Sequence, residues 1–298
     1  MSATSPRLPD FFVIGAQKAG TSTLHRLLRQ HPEVYMCDPK EPDFFAADRE
    51  WARGAEWYAA LFAAAGDAVA VGEASTTYAM YPHYGEVVHR LTAAVAEPRL
   101  VYILREPLAR MRSAYRHGLA GGTETRPIGE ALTADPRYLL TSSYALQLER
   151  WLRRVPRERI LLLSLEQLRD TPEAVMSRLF GFLGIDRAWR PGQLPAANIS
   201  EGKLAPRGWW RALGSAAIRH DKTDWVPAWA ARLNDSASPM VRRELSAQEF
   251  ELPSPVMASL QRALAADLDR LRRHWGSDPA PDWLQEDPKA SAIPSTSP

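Results

Sequence analysis

The sequence predicts an α/β fold: a single P-loop-like domain with a central parallel sheet of about five strands, helices on both faces, and a C-terminal helical segment. Short, wholly apolar runs alternate with stretches of helical periodicity, the pattern of strands covered on both sides. The first run, Phe11-Phe-Val-Ile14, passes through a glycine-bounded turn, Gly15 to Gly20, straight into a helical stripe. The length, 298 residues at 45% hydrophobic and 24% charged, suits one large α/β domain or two small ones and excludes disorder as the overall state.

Each element has its own signal. Leu24, Leu27 and Leu28 fall at helical spacing after the turn, and His31-Pro32 stops that helix. Val34–Met36 and Val69–Val71 read as short strands, Leu100–Leu104 as a strong one and Ile160–Leu163 as the last. Between them, Leu108, Met111, Tyr115 and Leu119 form one helical stripe, and Tyr144, Leu148, Trp151, Leu152 and Val155 a second. Thr171-Pro172 reads as an N-cap with proline in the first helical position, and Gly184 closes that helix. Residues 191–255, rich in Pro, Gly and Trp, read as a long ordered loop with short helices. Val256, Leu260, Leu264, Leu268, Leu271 and Trp275 then make a final amphipathic helix. The expected domain is 1–275, with a motif-bearing core at 11–207 and a disordered Pro/Ser/Asp-rich tail at 276–298.

Composition narrows the function. Net charge is +2 from 37 basic and 35 acidic residues, so bulk charge does not point to nucleic acid. The single cysteine, Cys37, excludes an intrachain disulfide framework and a cysteine-rich zinc site. No apolar run is long enough to span a bilayer, and Met1–Asp10 shows no signal-peptide core, so the expected setting is cytoplasmic. His25, His31, His83, His89 and His117 lack metal-ligand spacing and read as surface or capping residues. Only five of the 37 basic residues are lysines, Lys18 among them, which marks that position as one suited to a compact ammonium.

Gly15-x-x-x-x-Gly20-Thr21-Ser22 nearly matches a phosphate-binding loop, in which backbone amides and a helix N-terminus cradle an anion. The lysine that should follow Gly20 is replaced by Thr21; the loop lysine is Lys18. Gln17-Lys-Ala-Gly-Thr-Ser-Thr23 resembles the 5′-phosphosulfate loop of sulfotransferases that use 3′-phosphoadenosine 5′-phosphosulfate (PAPS). The resemblance implies that Lys18, Ala19, Gly20, Thr21, Ser22 and Thr23 bind the cofactor. It also implies that Lys18 stabilises charge on the leaving oxygen, where an ammonium suits the growing negative charge. Leu100–Leu104 then runs into Arg105-Glu-Pro107, with Ser113 eight residues after Arg105. Alone, Arg105 reads better as a strand-end residue paired with Glu106 or another surface carboxylate. Beside the loop, the pattern resembles the family's 3′-phosphate motif, an Arg fork with a helical Ser. A P-loop kinase would end such a strand in an Asp for Mg²⁺.

Lys40-Glu41-Pro42-Asp43-Phe44-Phe45 resembles a segment shared by bacterial sulfotransferases and the heparan-sulfate branch, in which Glu41 would be the base that takes the acceptor's proton. Asp43 is a weaker candidate. Gly72-Glu73-Ala74-Ser75 resembles the third strand-end segment, with Ala74 where that branch commonly has Lys and no His where the aryl and steroid branch has one. Glu73 reads as a secondary, substrate-side carboxylate or as a structural acceptor. Phe45 and Trp57, with other aromatics in 44–62, either stack on a substrate or serve packing. Lys203 and Arg207 are phosphate ligands or a solvated basic loop, and Trp209-Trp210 a cover or core.

The resemblance as a whole is to bacterial members of the heparan-sulfate sulfotransferase-like group. It implies transfer of a sulfuryl group from PAPS to a hydroxyl of a small-molecule or carbohydrate acceptor, with adenosine 3′,5′-bisphosphate as product and no metal. The alternatives are a small-molecule P-loop kinase using ATP and Mg²⁺ and a non-catalytic nucleotide-binding protein. Acceptor identity and oligomeric state are not legible.

Overall fold

The first strand, β1 (Phe11–Gly15), is buried along its whole length and divides its side chains between two cores. Phe12 and Ile14 join Tyr102, Leu148, Trp151 and Leu271 on one face, while Phe11 and Val13 join Leu24, Val101, Leu179 and Phe180 on the other. A strand covered on both faces has no polar side to present, which is why it reads as an unbroken apolar run. The computed structural model describes residues 7–190, 204–206, 242–244, 246–276 and 278–285.

After β1 come α1 (Thr21–Leu28), β2 (Val34–Met36), α2 (Asp48–Trp51), α3 (Gly54–Ala60) and β3 (Ala70–Ala74). A 3₁₀ turn, Thr76–Ala79, follows, then α4 (Val87–Ala94), β4 (Arg99–Leu104), α5 (Pro107–Gly121), α6 (Ile128–Ala134), α7 (Pro136–Ser142) and α8 (Tyr144–Leu152). The core closes with β5 (Ile160–Ser164), α9 (Leu165–Asp170) and α10 (Pro172–Leu183). Short strands β6 (Leu204–Pro206) and β7 (Arg242–Glu244) pair antiparallel, and α11 (Ser254–Trp275) is the long final helix.

The five core strands form a parallel sheet in the order β2-β3-β1-β4-β5. From β1 the chain proceeds to one edge; after β3 it returns across β1 to β4 and β5. The boundary between β1 and β4 is therefore the switch point of the sheet, and in open α/β sheets ligands bind in the crevice there, beyond the strands' carboxyl ends. Register between these two strands shifts from Val13 to Gly15, so the chain leaves the ladder where the glycine turn begins.

The predicted strand at 69–71 lies instead at Ala70–Ala74: Val69 is 48% exposed, and the strand runs on through Gly72 and Glu73. The stripes on α5, α8, α10 and α11 are buried as their spacing predicts. The stripe on α11 hides a polar member. Asp267 is buried and accepts from Ala145 N and Leu146 N, both at 2.9 Å, capping α8 from another helix. His25 and His31, expected at the surface or as caps, are buried, with ring nitrogens within hydrogen-bond distance of the Cys37 and Asp186 carbonyls.

The expected tail at 276–298 is corrected for 278–285. Leu284 is fully buried, the Trp283 ring packs on Tyr144 and Trp275, and Asp278 pairs with Arg178. Residues 286–298 and most of 191–245, where a long loop was expected, lie outside the described residues. No helix among the described residues is long and apolar enough to cross a membrane.

Gly72 has a packing reason rather than a turn reason. A Cβ built there would sit 2.2 Å from the ring of Phe11, itself fully buried between sheet and helix. Gly72→Ala is expected to destabilise the fold by about 3 kcal/mol, the upper range for overpacking a close-packed core. Chemical denaturation of the two proteins checks this.

Candidate active site

Three chain segments converge beyond the carboxyl ends of β1, β3 and β4. The first is the turn from Gly15 to Gly20. Gly20 stands at the N-cap of α1 with φ 96°, a conformation glycine adopts without a Cβ penalty. A Cβ there would approach Leu165 Cδ1 to 2.7 Å, so the turn lies hard against the start of α9. A helix start presents amides that no helical carbonyl takes, and here the first residues, Thr21, Ser22 and Thr23, carry hydroxyls as well. Lys18 sits inside the turn with φ 67°, a left-handed backbone that a lysine does not adopt without support.

The second segment supplies that support. Arg105 follows β4, half-buried, and its Nη1 donates to the Lys18 carbonyl at 3.4 Å. Burial lowers the Arg105 pKa, with Glu166 the largest opposing charge. Even so, among the described residues no carboxylate closes to ion-pair distance of this guanidinium. Glu106, the alternative partner read from sequence, instead caps α5, accepting from Leu108 N at 2.9 Å and Ala109 N at 2.5 Å. Ser113 lies on that helix, buried at 7% exposure. The Arg105 guanidinium, the Lys18 side chain, hydroxyls and a glycine turn compose a donor set suited to a phosphorylated or sulfated nucleotide.

The third segment is the loop after β2. Glu41 N donates to Ala74 O at 3.0 Å, which ties the loop to the end of β3. The Glu41 side chain is 42% exposed; its Oε1 accepts from Lys40 Nζ at 2.5 Å and from Thr76 Oγ1 at 3.3 Å. Asp43 is half-buried, with Thr77 Oγ1 donating to its Oδ1 at 2.7 Å and its own N donating to Ser75 Oγ at 3.2 Å. Burial raises its pKa. Both residues have positive φ, 62° at Glu41 and 51° at Asp43. Their partners Thr76 and Thr77 open the turn that abuts Gly15, where a built Cβ would lie 3.1 Å from Ala79.

Glu73 is placed differently from the substrate-side reading. It sits within β3, fully buried, with neither carboxylate oxygen in hydrogen-bond geometry. Burial pushes its carboxyl up to about 8; the nearby Tyr78 and Tyr58 hydroxyls oppose this and Asp43 adds to it. Phe45 is likewise fully buried, edge-on to Phe12 and Tyr58, and is core rather than a substrate platform. Trp57 packs on Phe44 and lies beneath the Arg53 guanidinium at 3.6 Å. Lys203 and Arg207 fall outside the described residues.

The open space lies elsewhere. A cleft of about 350 Å³ is lined by Gln17 of the glycine turn, Thr77, Tyr81, Tyr84, Arg110 and Tyr138. Gln17 and Thr77 join it to the loop and to the Glu41–Asp43 segment. None of its aromatic residues was singled out from sequence, because they come from the connection after β3 and from α7, which carry no motif. Arg110 is fully buried, donating from Nε to Ser142 Oγ at 2.5 Å and from Nη2 to Tyr138 O at 2.7 Å. Among the described residues no group of His, Cys, Asp and Glu could hold a metal ion.

Known proteins resemble this chain in sequence and in fold. The sulfotransferase domain family matches residues 8–194. The human bifunctional heparan sulfate N-deacetylase/N-sulfotransferase 3 is 30% identical over 227 residues, 70% of this chain and 25% of that protein. The human heparan sulfate glucosamine 3-O-sulfotransferase 3B1 is 32% identical over 193 residues, 61% of this chain and 48% of that protein. The chain thus spans about half the length of the second relative and a quarter of the first. In structure, a sulfotransferase from Alicyclobacillus acidocaldarius superposes with a TM-score of 0.67 over 94% of this chain and 100% of that one, at 23% identity, a likeness of fold.

The buried carboxyl of Glu73 has a thermodynamic signature. Its pKa is raised in the folded state, so between the unfolded value and about 8 the native protein holds a proton that the unfolded chain has released. Stability from this group is present at acid pH and falls as pH rises through that window. Glu73→Gln is isosteric and does not titrate. Its melting temperature relative to the wild type should therefore climb steadily from about pH 5 to about pH 8 and level off above. A pH-independent difference would mean that Glu73 is ionised in the fold.

Proposed function

The chain belongs to the sulfotransferase domain family, and on that premise we propose that it transfers a sulfuryl group from PAPS to a hydroxyl of a small-molecule or carbohydrate acceptor. The observation that carries this reading is the hydrogen bond from Arg105 Nη1 to the Lys18 carbonyl. It makes one site of two anion anchors 87 residues apart in sequence, at the switch point where the fold receives ligands.

The donor, when bound, supplies the sulfuryl group and departs as adenosine 3′,5′-bisphosphate. Arg105 and Ser113 are assigned to the 3′-phosphate, where a planar guanidinium fork and a neutral hydroxyl complement a terminal dianion. Gly20 to Thr23 are assigned to the 5′ end through backbone amides and hydroxyls. Lys18 holds its ammonium where negative charge grows as the bond to sulfur breaks. Glu41 accepts the acceptor's proton at its carboxylate, which Thr76 Oγ1 and Lys40 Nζ orient by hydrogen bonds to Oε1. The acceptor occupies the cleft beside Gln17 and Thr77. The named relatives are heparan sulfate sulfotransferases, which favours a carbohydrate acceptor. The proposed domain runs through residue 285, since 278–285 packs on the core.

Titration calorimetry with adenosine 3′,5′-bisphosphate, AMP, and ATP with Mg²⁺ tests the site. The bisphosphate is expected to bind most tightly, with the preference abolished in Arg105→Ala. Tighter binding of ATP with Mg²⁺ would turn the reading to a kinase. With a competent acceptor, Lys18→Ala should lose turnover. Glu41→Gln should keep bisphosphate affinity while turnover falls about a hundredfold, the scale for a positioned general base. Unchanged turnover would remove Glu41 from the mechanism.

A further inference from the structure

Behind the proposed 3′-phosphate anchor, a second layer of contacts fixes the backbone that carries Arg105. The Arg105 carbonyl accepts from Tyr144 Oη at 2.8 Å. The next amide, Glu106 N, donates to Glu166 Oε1 at 3.0 Å. Both carboxylate oxygens of Glu166 are engaged: Oε2 accepts from Ser164 Oγ at 2.6 Å and from Trp283 Nε1 at 3.0 Å. The same Trp283 ring packs on Tyr144, with centroids 6.2 Å apart. One indole from the segment after α11 therefore touches both side chains that hold the Arg105–Glu106 backbone. That segment is seated by independent contacts: Leu284 is fully buried, Pro279 O accepts from Gln167 Nε2 at 2.8 Å, and Leu284 O accepts from Arg272 Nε at 2.6 Å.

We infer that Trp283, Glu166 and Tyr144 are positioning residues for the cofactor's 3′-phosphate, and that the segment 278–285 is a clasp on the back of that subsite. This rests on the donor reading above. A guanidinium fork gives its full advantage only when its backbone origin is fixed, because two parallel hydrogen bonds tolerate little displacement. Glu166 does this with a charge-assisted acceptor on Glu106 N, and its charge also stands opposite the half-buried guanidinium. Trp283 Nε1–H and Ser164 Oγ–H hold the carboxylate in that orientation. The contacts of the clasp described above end on the Arg105–Glu106 backbone, so its effect falls on the 3′ end of the ligand rather than the 5′ end.

The test uses the full chain and compares adenosine 3′,5′-bisphosphate with AMP, which lacks the 3′-phosphate, by calorimetry. Trp283→Phe keeps the ring and removes the indole donor; Glu166→Gln keeps the shape and removes the charge. Each is expected to weaken bisphosphate binding about tenfold, the scale of one charge-assisted hydrogen bond, while AMP affinity stays within about twofold. Equal weakening of both ligands would show a merely structural role and overturn the inference, as would a bisphosphate preference equal to the wild type's in both variants. If the wild type does not prefer the bisphosphate over AMP, the donor reading itself fails. Should Trp283→Phe not fold, Glu166→Gln carries the same comparison.

Discussion

The contact between the Arg105 guanidinium and the Lys18 carbonyl joins the two halves of the sheet at the switch point, where open α/β sheets receive ligands. Everything around it follows from where the strand order reverses. β1 and β4 are neighbours in the sheet but are separated in the chain by β2, β3 and the helices between them. Their ends diverge, one into the glycine turn and one into the cap of α5. A polar side chain at the end of β4 then lies against backbone at the end of β1. The bond satisfies a carbonyl in a turn whose residues have left the ladder, and it fixes the arginine's direction.

Around that contact the backbone is under tension. Among the described residues, those other than glycine with positive φ are Lys18, Glu41 and Asp43, all in the segments that build the candidate site. Each such conformation costs on the order of 1 kcal/mol or more and persists only where surrounding bonds over-determine it. At Lys18 the carbonyl is taken by Arg105; at Glu41 the amide is taken by Ala74 O; at Asp43 the amide and carboxylate are taken by Ser75 and Thr77.

Burial sorts the carboxyl groups by depth. Glu41 is exposed and ion-paired, Asp43 half-buried, and Glu73 fully buried with its acid form favoured. Desolvation disfavours charge in proportion to depth, and it is the largest cause of the raised pKa at both Asp43 and Glu73. The exposed one remains the group available to a ligand.

The sequence by itself determined the layered architecture, because apolar runs and helical stripes report directly which faces are covered. It also marked out the two proposed anchors, since Gly15 to Thr23 and Arg105 with Ser113 are local patterns whose spacing follows from a strand, a turn and a helix. It did not reveal Glu73's burial, because strand or strand-end is decided by the ladder with β1 and β2, two segments far away in the chain. The sequence left Phe45 and Trp57 open between platform and packing for the same reason: whether an aromatic faces a ligand or a core depends on what packs against it. The clasp was hidden most completely. A Pro/Ser/Asp-rich stretch has no periodicity to betray packing, and only the tertiary structure brings Trp283 within hydrogen-bond reach of Glu166, 117 residues earlier. Local pattern encodes what a segment can form; long-range contact decides what it touches.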